Sequence, residues 1–174
     1  NQKRYRAKKR FGQNFLVDQK TRTRIINSAT LQTDDYVVEI GSGGGELTEF
    51  LLPHVRMVYA VEIDRELCPL LTQRFSGEEN FMLIQKSILD VDLNELCQKA
   101  GKKLKIVGNI PYNISTPILA RLIKFSDSID AVFLMVQKEY AHRVCAGPGS
   151  RTYGSLSLFV QFYFNAKMLF EVNK

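Results

Sequence analysis

Asn109, Ile110, Pro111 and Tyr112 follow one another where a short apolar run, Leu104 to Gly108, comes to an end. Their chemistry is complementary to a planar amine. The Asn109 amide offers an oxygen that accepts and a nitrogen that donates. Pro111 fixes its own φ and biases Ile110 towards extended backbone, which would let the Ile110 carbonyl act as a second acceptor. Tyr112 adds a flat ring with a polar tip. An exocyclic amine conjugated to a purine is a poor nucleophile, because its lone pair is delocalised into the ring. Two acceptors drawing on its hydrogens favour a more tetrahedral nitrogen, whose lone pair can attack an electrophilic carbon in line. Such a step depends on positioning and charge more than on a strong base. Neither histidine is needed, and His54 and His142 both fall on expected helix surfaces. An Asn-initiated turn beside a core tyrosine would use the same residue types, so location has to decide.

A second constellation supplies that location. "VVEIGSGGGELT" places Gly41, Gly43, Gly44 and Gly45 between an apolar strand and a helix. Glycines permit a tight turn and close approach of backbone to a ligand. The dinucleotide fingerprint needs its third glycine at the sixth position, where this chain has Glu46. A carboxylate there would oppose a pyrophosphate, but not a phosphate-free ligand with a positive centre. Glu62, 21 residues after Gly41 at the end of the next strand, can accept hydrogen bonds from both hydroxyls of a ribose. S-adenosylmethionine meets these constraints: it has a ribose, an adenine and a sulfonium, and no phosphate. A plain turn with a surface acid is the competing reading, and the pairing of loop and carboxylate favours the cofactor. Ile63 is placed to pack on the adenine, and Asp64 to cap the following helix.

The elements that hold these residues alternate. Strands are expected at 36–40, 57–63, 81–84, 104–108 and 131–136. Helices are expected over 46–52, 66–75, 93–100, 117–124 and 138–146, with Gly101 closing the third. Residues 155–164 read as a helix whose buried stripe is Leu156, Phe159, Val160 and Tyr163, with Ser157 and Gln161 on another side. A last strand is expected over 167–172. Regular alternation of strand and helix predicts an α/β, doubly wound, mostly parallel sheet with ligands outside the carboxyl ends of its strands.

Charge is unevenly placed. Of 24 Lys and Arg, six lie in "NQKRYRAKKR", which has no acid; the remaining 18 balance the 18 Asp and Glu. That arm could be a solvated terminus or a phosphate-seeking segment. Three widely spaced cysteines argue against a disulfide frame or a zinc site. No apolar run approaches a membrane span.

The segments "KKRFGQNFL", "VVEIGSGGGELT", "VEID", "GNIPYNISTPIL" and "QKEYAHRVCAGPGSRTYGSLSL" resemble, in order, the motifs of the ribosomal RNA adenine dimethyltransferases, from about Lys9 to Val172. "STPIL" and "AGPGSRTYGSLS" favour the small-subunit branch. The resemblance implies a Rossmann-like S-adenosylmethionine-dependent fold. It also implies dimethylation of two adjacent adenosines near the 3′ end of small-subunit ribosomal RNA, in ribosome biogenesis. It places Gln13, Asn14 and Leu16 along the cofactor, and Gly41 and Glu62 on its methionine and ribose parts. Gly43, Ile63, Ser87, Ile88 and Asn109 complete the expected cofactor set. Asn109, Ile110, Pro111 and Tyr112 form the catalytic set, and no metal is expected. The basic arm, residues 1–10, becomes an RNA contact ahead of a catalytic domain, residues 11–174.

Two departures accompany the resemblance. Ser87 stands where the family usually has an acid for the cofactor's adenine amine, and the chain stops at "FEVNK". The family's proline-rich loop, a further strand and a small helical RNA-binding domain are absent, so the catalytic domain reads as incomplete. The expected partner is small-subunit RNA or a pre-ribosomal particle, met by a monomer without a membrane. The expected place is the cytoplasm, or the nucleolus or mitochondrion of a eukaryote. Two alternatives stay open: a large-subunit methylase of the macrolide-resistance type, and an RNA-binding assembly factor that keeps the fold.

Overall fold

Neighbouring residues along each central strand bury into opposite sides of one sheet. A computed structural model describes residues 19–172, apart from the Tyr112 side chain. Val38, Tyr59 and Ile106 face one hydrophobic cluster, while Val37, Val58 and Val107 face another. β-branched runs such as "YVVEI" suit a strand covered on both faces. The strands are β1 (Tyr36–Ile40), β2 (Met57–Val61), β3 (Phe81–Ile84), β4 (Leu104–Asn109) and β5 (Ile129–Met135). All four pairings are parallel, in the order β3-β2-β1-β4-β5.

The helices are α1 (Gln19–Ser28), α2 (Thr48–Leu51), α3 (Cys68–Arg74), α4 (Leu93–Ala100), α5 (Ser115–Lys124), α6 (Lys138–Val144) and α7 (Ser155–Tyr163). Leu93 and Leu96 of α4 and Ile118 and Leu122 of α5 cover one face of the sheet. Ile26 of α1, Leu51 of α2 and Leu71 of α3 cover the other. Gly101 ends α4 in the left-handed conformation, φ 66°, as its position predicts. The helix after the glycine loop is one α turn followed by a 3₁₀ turn, Leu52–His54, because Pro53 brings no N–H to an α ladder.

Three expectations are corrected. No strand forms over 167–172; an extended segment becomes a strand only through a partner's ladder, and none pairs there among the described residues. β2 ends at Val61, leaving Glu62 and Ile63 beyond it, although the Glu62 N–H still donates to the Ile84 carbonyl at 3.1 Å. The helix over 155–163 forms, and half of the stripe read from spacing faces inward: Val160 is buried with Leu156 packed in the same cluster, while the other half does not follow. Ser157 and Val160 are buried, whereas Phe159 and Tyr163 are each 47% exposed. The Ser157 hydroxyl donates to the Arg143 carbonyl at 2.5 Å, and the Gln161 amide donates to the Val144 and Ala146 carbonyls, both at 2.8 Å. The last carbonyls of a helix lack partners within it. Buried Ser157 and exposed Gln161 of α7 supply partners to carbonyls at the end of α6 and just beyond it.

At the amino-terminal end of the sheet, opposite the carboxyl ends, buried Asp35 ties β1 to β4. Its carboxylate meets Lys105 Nζ at 2.7 Å and Lys102 Nζ at 3.0 Å, and accepts from the Gln32 N–H at 2.7 Å. Burial alone would raise the Asp35 pKa, but these partners outweigh it and hold it below the usual value. Asp35→Ala leaves the Lys105 ammonium buried without its counter-charge, and is expected to cost about 3 kcal/mol in urea unfolding at pH 7. The native state binds fewer protons here than the unfolded one. The contribution is therefore present at neutral pH and disappears as pH falls through the Asp35 pKa.

Candidate active site

The strand order reverses between β1 and β4: the chain leaves β1 towards β2 on one side and returns with β4 on the other. Such a switch point opens a crevice at the carboxyl ends. Ile40 of β1 pairs with Gly108 of β4. A Cβ at residue 108 would lie 3.0 Å from both Cβ and O of Ile40, so glycine permits the close approach. The next residues on each side are Gly41 and Asn109. A Cβ on Gly41 would stand 4.0 Å from the Asn109 carbonyl oxygen, which puts the glycine loop beside the start of the Asn-Ile-Pro-Tyr turn.

Charged side chains shape the loop. The Gly43 N–H donates to Glu62 Oε2 at 2.8 Å, and the Asp64 N–H to Oε1 at 2.8 Å. Glu62 is 4% exposed and so ties the glycine loop to the end of β2. An ionised carboxylate has about four lone-pair sites, which leaves capacity for a ribose. Arg74 donates to the Gly44 carbonyl at 2.6 Å and pairs with Glu49 at 2.6 Å, and Arg22 reaches the Glu46 carbonyl at 3.4 Å. Gly43 and Gly45 adopt φ of 58° and 85°, and a Cβ on Gly45 would collide with the Phe75 ring at 2.5 Å. The Glu46 carboxyl folds over Gly44, its Oε1 2.5 Å from where a Cβ on that glycine would stand.

Beneath the loop lies Glu39, 2% exposed, whose Oε2 accepts from the Thr48 hydroxyl at 2.5 Å. Burial pushes its pKa up to about 8, the hydrogen bond from Thr48 opposes the rise, and the charges of Glu46 and Glu62 add to it. At pH 7 this acid is mainly neutral.

On the other wall, Asn109 ends β4 opposite Met135, and the Ile110 N–H donates to the Met135 carbonyl at 2.9 Å. The Ile110 side chain is buried in the core, 5% exposed, so what Ile110 can offer the crevice is its main chain. Pro111 is extended, at φ −59° and ψ 140°. Its carbonyl accepts from the Ser115 hydroxyl at 3.1 Å and the Ile114 N–H at 3.2 Å, which starts α5. Tyr112 opens the 3₁₀ turn Tyr112–Ile114; its side chain lies outside the described residues.

The remaining candidates divide. Ile63 is 50% exposed beside Glu62, where an apolar ring could cover it. Ser87 accepts from the Leu89 N–H at 3.2 Å as the cap of a 3₁₀ turn, Ile88–Asp90. The Ile88 side chain is in the core, leaving its main chain as the part available to a ligand. Asp64 accepts from the Glu66 N–H at 3.0 Å in a turn ahead of α3, short of capping that helix. Gln13, Asn14, Leu16 and the basic arm lie outside the described residues. Arg22 and Arg74 were not anticipated: no local spacing reveals partners 24 and 30 residues away. Among the described residues no cluster of His, Cys, Asp or Glu could hold a metal ion, and no helix is long and apolar enough to cross a membrane.

A family model described as Ribosomal RNA adenine dimethylase matches residues 4–174. The Ribosomal RNA small subunit methyltransferase A of Alkaliphilus metalliredigens is 41% identical over 170 residues, covering 97% of this chain and 59% of the relative. The chain thus spans about three fifths of that relative's length. A dimethyladenosine transferase from Plasmodium falciparum superposes with a TM-score of 0.75 at 29% identity, covering 85% of this chain and 52% of the other. The 23S rRNA methyltransferase ErmE superposes at 0.67 with 31% identity, covering 78% and 53%. The fold is that of the Rossmann-like methyltransferases.

Two outcomes follow from this geometry. Unfolded Glu39 loses its proton near 4.5 and the folded residue only near 8, so the native state binds more protons between those values and stability falls as pH rises through them. Glu39→Gln is expected to flatten that fall, seen as a smaller difference in Tm between pH 5 and pH 8. Gly108→Ala crowds Ile40 and is expected to cost about 1–3 kcal/mol in chemical unfolding, with weaker S-adenosylmethionine binding by calorimetry.

Proposed function

We propose, for a chain that belongs to the ribosomal RNA adenine dimethylase family, that it transfers methyl groups from S-adenosylmethionine to the N6 amines of two adjacent adenosines near the 3′ end of small-subunit ribosomal RNA. The observation that carries this reading is the meeting of the Gly41 loop with the Asn109 turn at the β1–β4 switch point. The small-subunit target is supported by the 41% identity to a small-subunit methyltransferase. The likeness to ErmE, at 31%, keeps large-subunit RNA as the second reading.

The residues present fit the cofactor. Positive-φ glycines leave backbone open to a ligand, Glu62 retains lone pairs for ribose hydroxyls, and half-exposed Ile63 offers an apolar surface for adenine. S-adenosylmethionine, when bound, supplies an electrophilic methyl group. Gln13, Asn14 and Leu16 are proposed along the same ligand, with Ser87 and Ile88 at its adenine.

On the substrate side, the Asn109 side-chain oxygen and the Ile110 carbonyl accept the two N6 hydrogens, and the Tyr112 ring stacks on the base. Pro111 holds the Ile110 carbonyl in place by fixing an extended backbone. The nitrogen gives up one proton to solvent for each methyl it gains; both acceptors hold an N–H in the first transfer, and one of them holds the single remaining N–H in the second. Hydrogen bonds strained towards a tetrahedral nitrogen are worth most in the transition state, which is where they accelerate the step.

Labelled S-adenosylmethionine incubated with undermethylated small subunits, large subunits and free RNA tests the reading. Label is expected on small-subunit adenines, and Asn109→Ala is expected to lower the rate roughly a hundredfold or more, the scale set by loss of positioning. Equal labelling by the variant removes the mechanism. Label confined to large subunits moves the substrate, and RNA binding without label favours an assembly factor.

A further inference from the structure

Glu39 is a carboxyl group that the proposed methyl transfer does not use, enclosed two positions before the Gly41 loop. Alternation along β1 sets it on the same side as Val37, under α1, α2 and α3. The charged residues of these helices are Lys20, Arg22 and Arg24 of α1, Glu49 of α2 and Arg74 of α3, and the flanking loops bring Glu46, Glu62 and Asp64. Arg22 lies over the Phe50 ring at 4.7 Å, Arg24 over the Phe170 ring at 4.2 Å, and Arg74 pairs with Glu49. No ion pair among the described residues includes Glu39. Its hydrogen-bond donor there is the hydroxyl of fully buried Thr48. A carboxylate enclosed with one hydroxyl and no cation takes up a proton rather than hold its charge.

Two observations tie this neutral acid to the ligand site above it. The charges of Glu46 and Glu62, both at the loop, reach Glu39 and favour its protonated form. A positive charge in the crevice acts on it in the opposite sense. The second observation is a hydroxyl held in reserve. Ser42, in the glycine loop, is 4% exposed, and its Oγ has no hydrogen-bond partner among the described residues. It nevertheless stands close enough to Glu39 to favour the ionised carboxyl. An ionised carboxylate accepts at both oxygens and can take the Ser42 hydroxyl alongside that of Thr48.

We propose that Glu39 releases its proton to solvent when S-adenosylmethionine binds, taking Ser42 as a second donor, so that the buried carboxylate favours the sulfonium cofactor over the neutral thioether left after transfer. Glu39 regains a proton once the thioether, S-adenosylhomocysteine, is all that remains. This role rests on S-adenosylmethionine being the ligand of the Gly41 loop, and it deepens that reading by naming what tells the charged cofactor from its spent form.

Calorimetric titration of the 174-residue chain with each ligand, in buffers of different ionisation enthalpy, counts the protons released. Lowering the Glu39 pKa from about 8 by about one unit corresponds to release of about 0.4 proton at pH 7. It also raises S-adenosylmethionine affinity about tenfold between pH 6 and pH 9. The ligand's own α-amino group titrates in this range, so the wild type is read against Glu39→Gln, in which only that contribution remains. Ser42→Ala removes no hydrogen bond of the free protein. It is expected to release fewer protons and to bind S-adenosylmethionine severalfold more weakly at pH 9, with affinity unchanged at pH 6. With S-adenosylhomocysteine, wild type and Glu39→Gln are expected to release the same number of protons. S-adenosylmethionine binding with equal proton release by wild type and Glu39→Gln, or with wild-type behaviour in Ser42→Ala, overturns the role of Glu39 and leaves the cofactor reading standing. An equal Glu39-dependent release with S-adenosylhomocysteine does the same. No S-adenosylmethionine binding by the wild type at any pH overturns both.

Discussion

The spacing of β1 and β4 at their carboxyl ends is the constraint on which the candidate site depends. Two strands in a parallel sheet are held a fixed distance apart by their ladder, but the loops beyond them meet only if nothing intervenes. Here the last shared pair is Ile40 with Gly108, and the glycine lets the Ile40 side chain and carbonyl lie where a methyl group would otherwise sit. One residue later, Gly41 and Asn109 are neighbours although 68 positions separate them in the chain. The reversal of strand order at this point means that no connecting segment fills the gap.

Three buried acids are handled in different ways around this frame. Glu62 accepts from two backbone N–H groups, of Gly43 and Asp64, in place of water. Glu39, enclosed beneath the same loop with Thr48 as its hydrogen-bond donor, is pushed towards neutrality by burial and by the charges of Glu46 and Glu62. Asp35, at the far end of the sheet, is held charged by Lys105 and Lys102. The difference between Asp35 and Glu39 follows from partners: two lysines outweigh the cost of burial for one, and a hydroxyl does not for the other. The crevice thus has the Glu62 carboxyl at its edge and a mainly neutral acid below its floor.

At the edge of the sheet, polar and apolar contacts together position α7. Ser157 and Gln161 answer carbonyls at the end of α6 and just beyond it, and Val160 packs with Leu119 and Ile123 of α5. Phe159 and Tyr163 stay half-exposed.

The order of elements, the parallel sheet and the two loops at the crevice were legible in the sequence, because each depends on neighbours close in the chain. β-branched runs mark strands, glycines mark the turn, and Asn109 with Pro111 marks a rigid exit from β4. What local pattern could not convey was partnership across space. Arg22 and Arg74 hold the loop from 24 and 30 residues away, and Glu39 owes its neutral state to enclosure by elements that spacing does not reveal. The expected strand over 167–172 has β-like composition, but a strand exists only through a partner's hydrogen bonds. The stripe on α7 was read half correctly for a related reason: spacing shows which residues share a side, and the contacts with α5 and α6 decide that Leu156 and Val160 turn inward while Phe159 and Tyr163 do not.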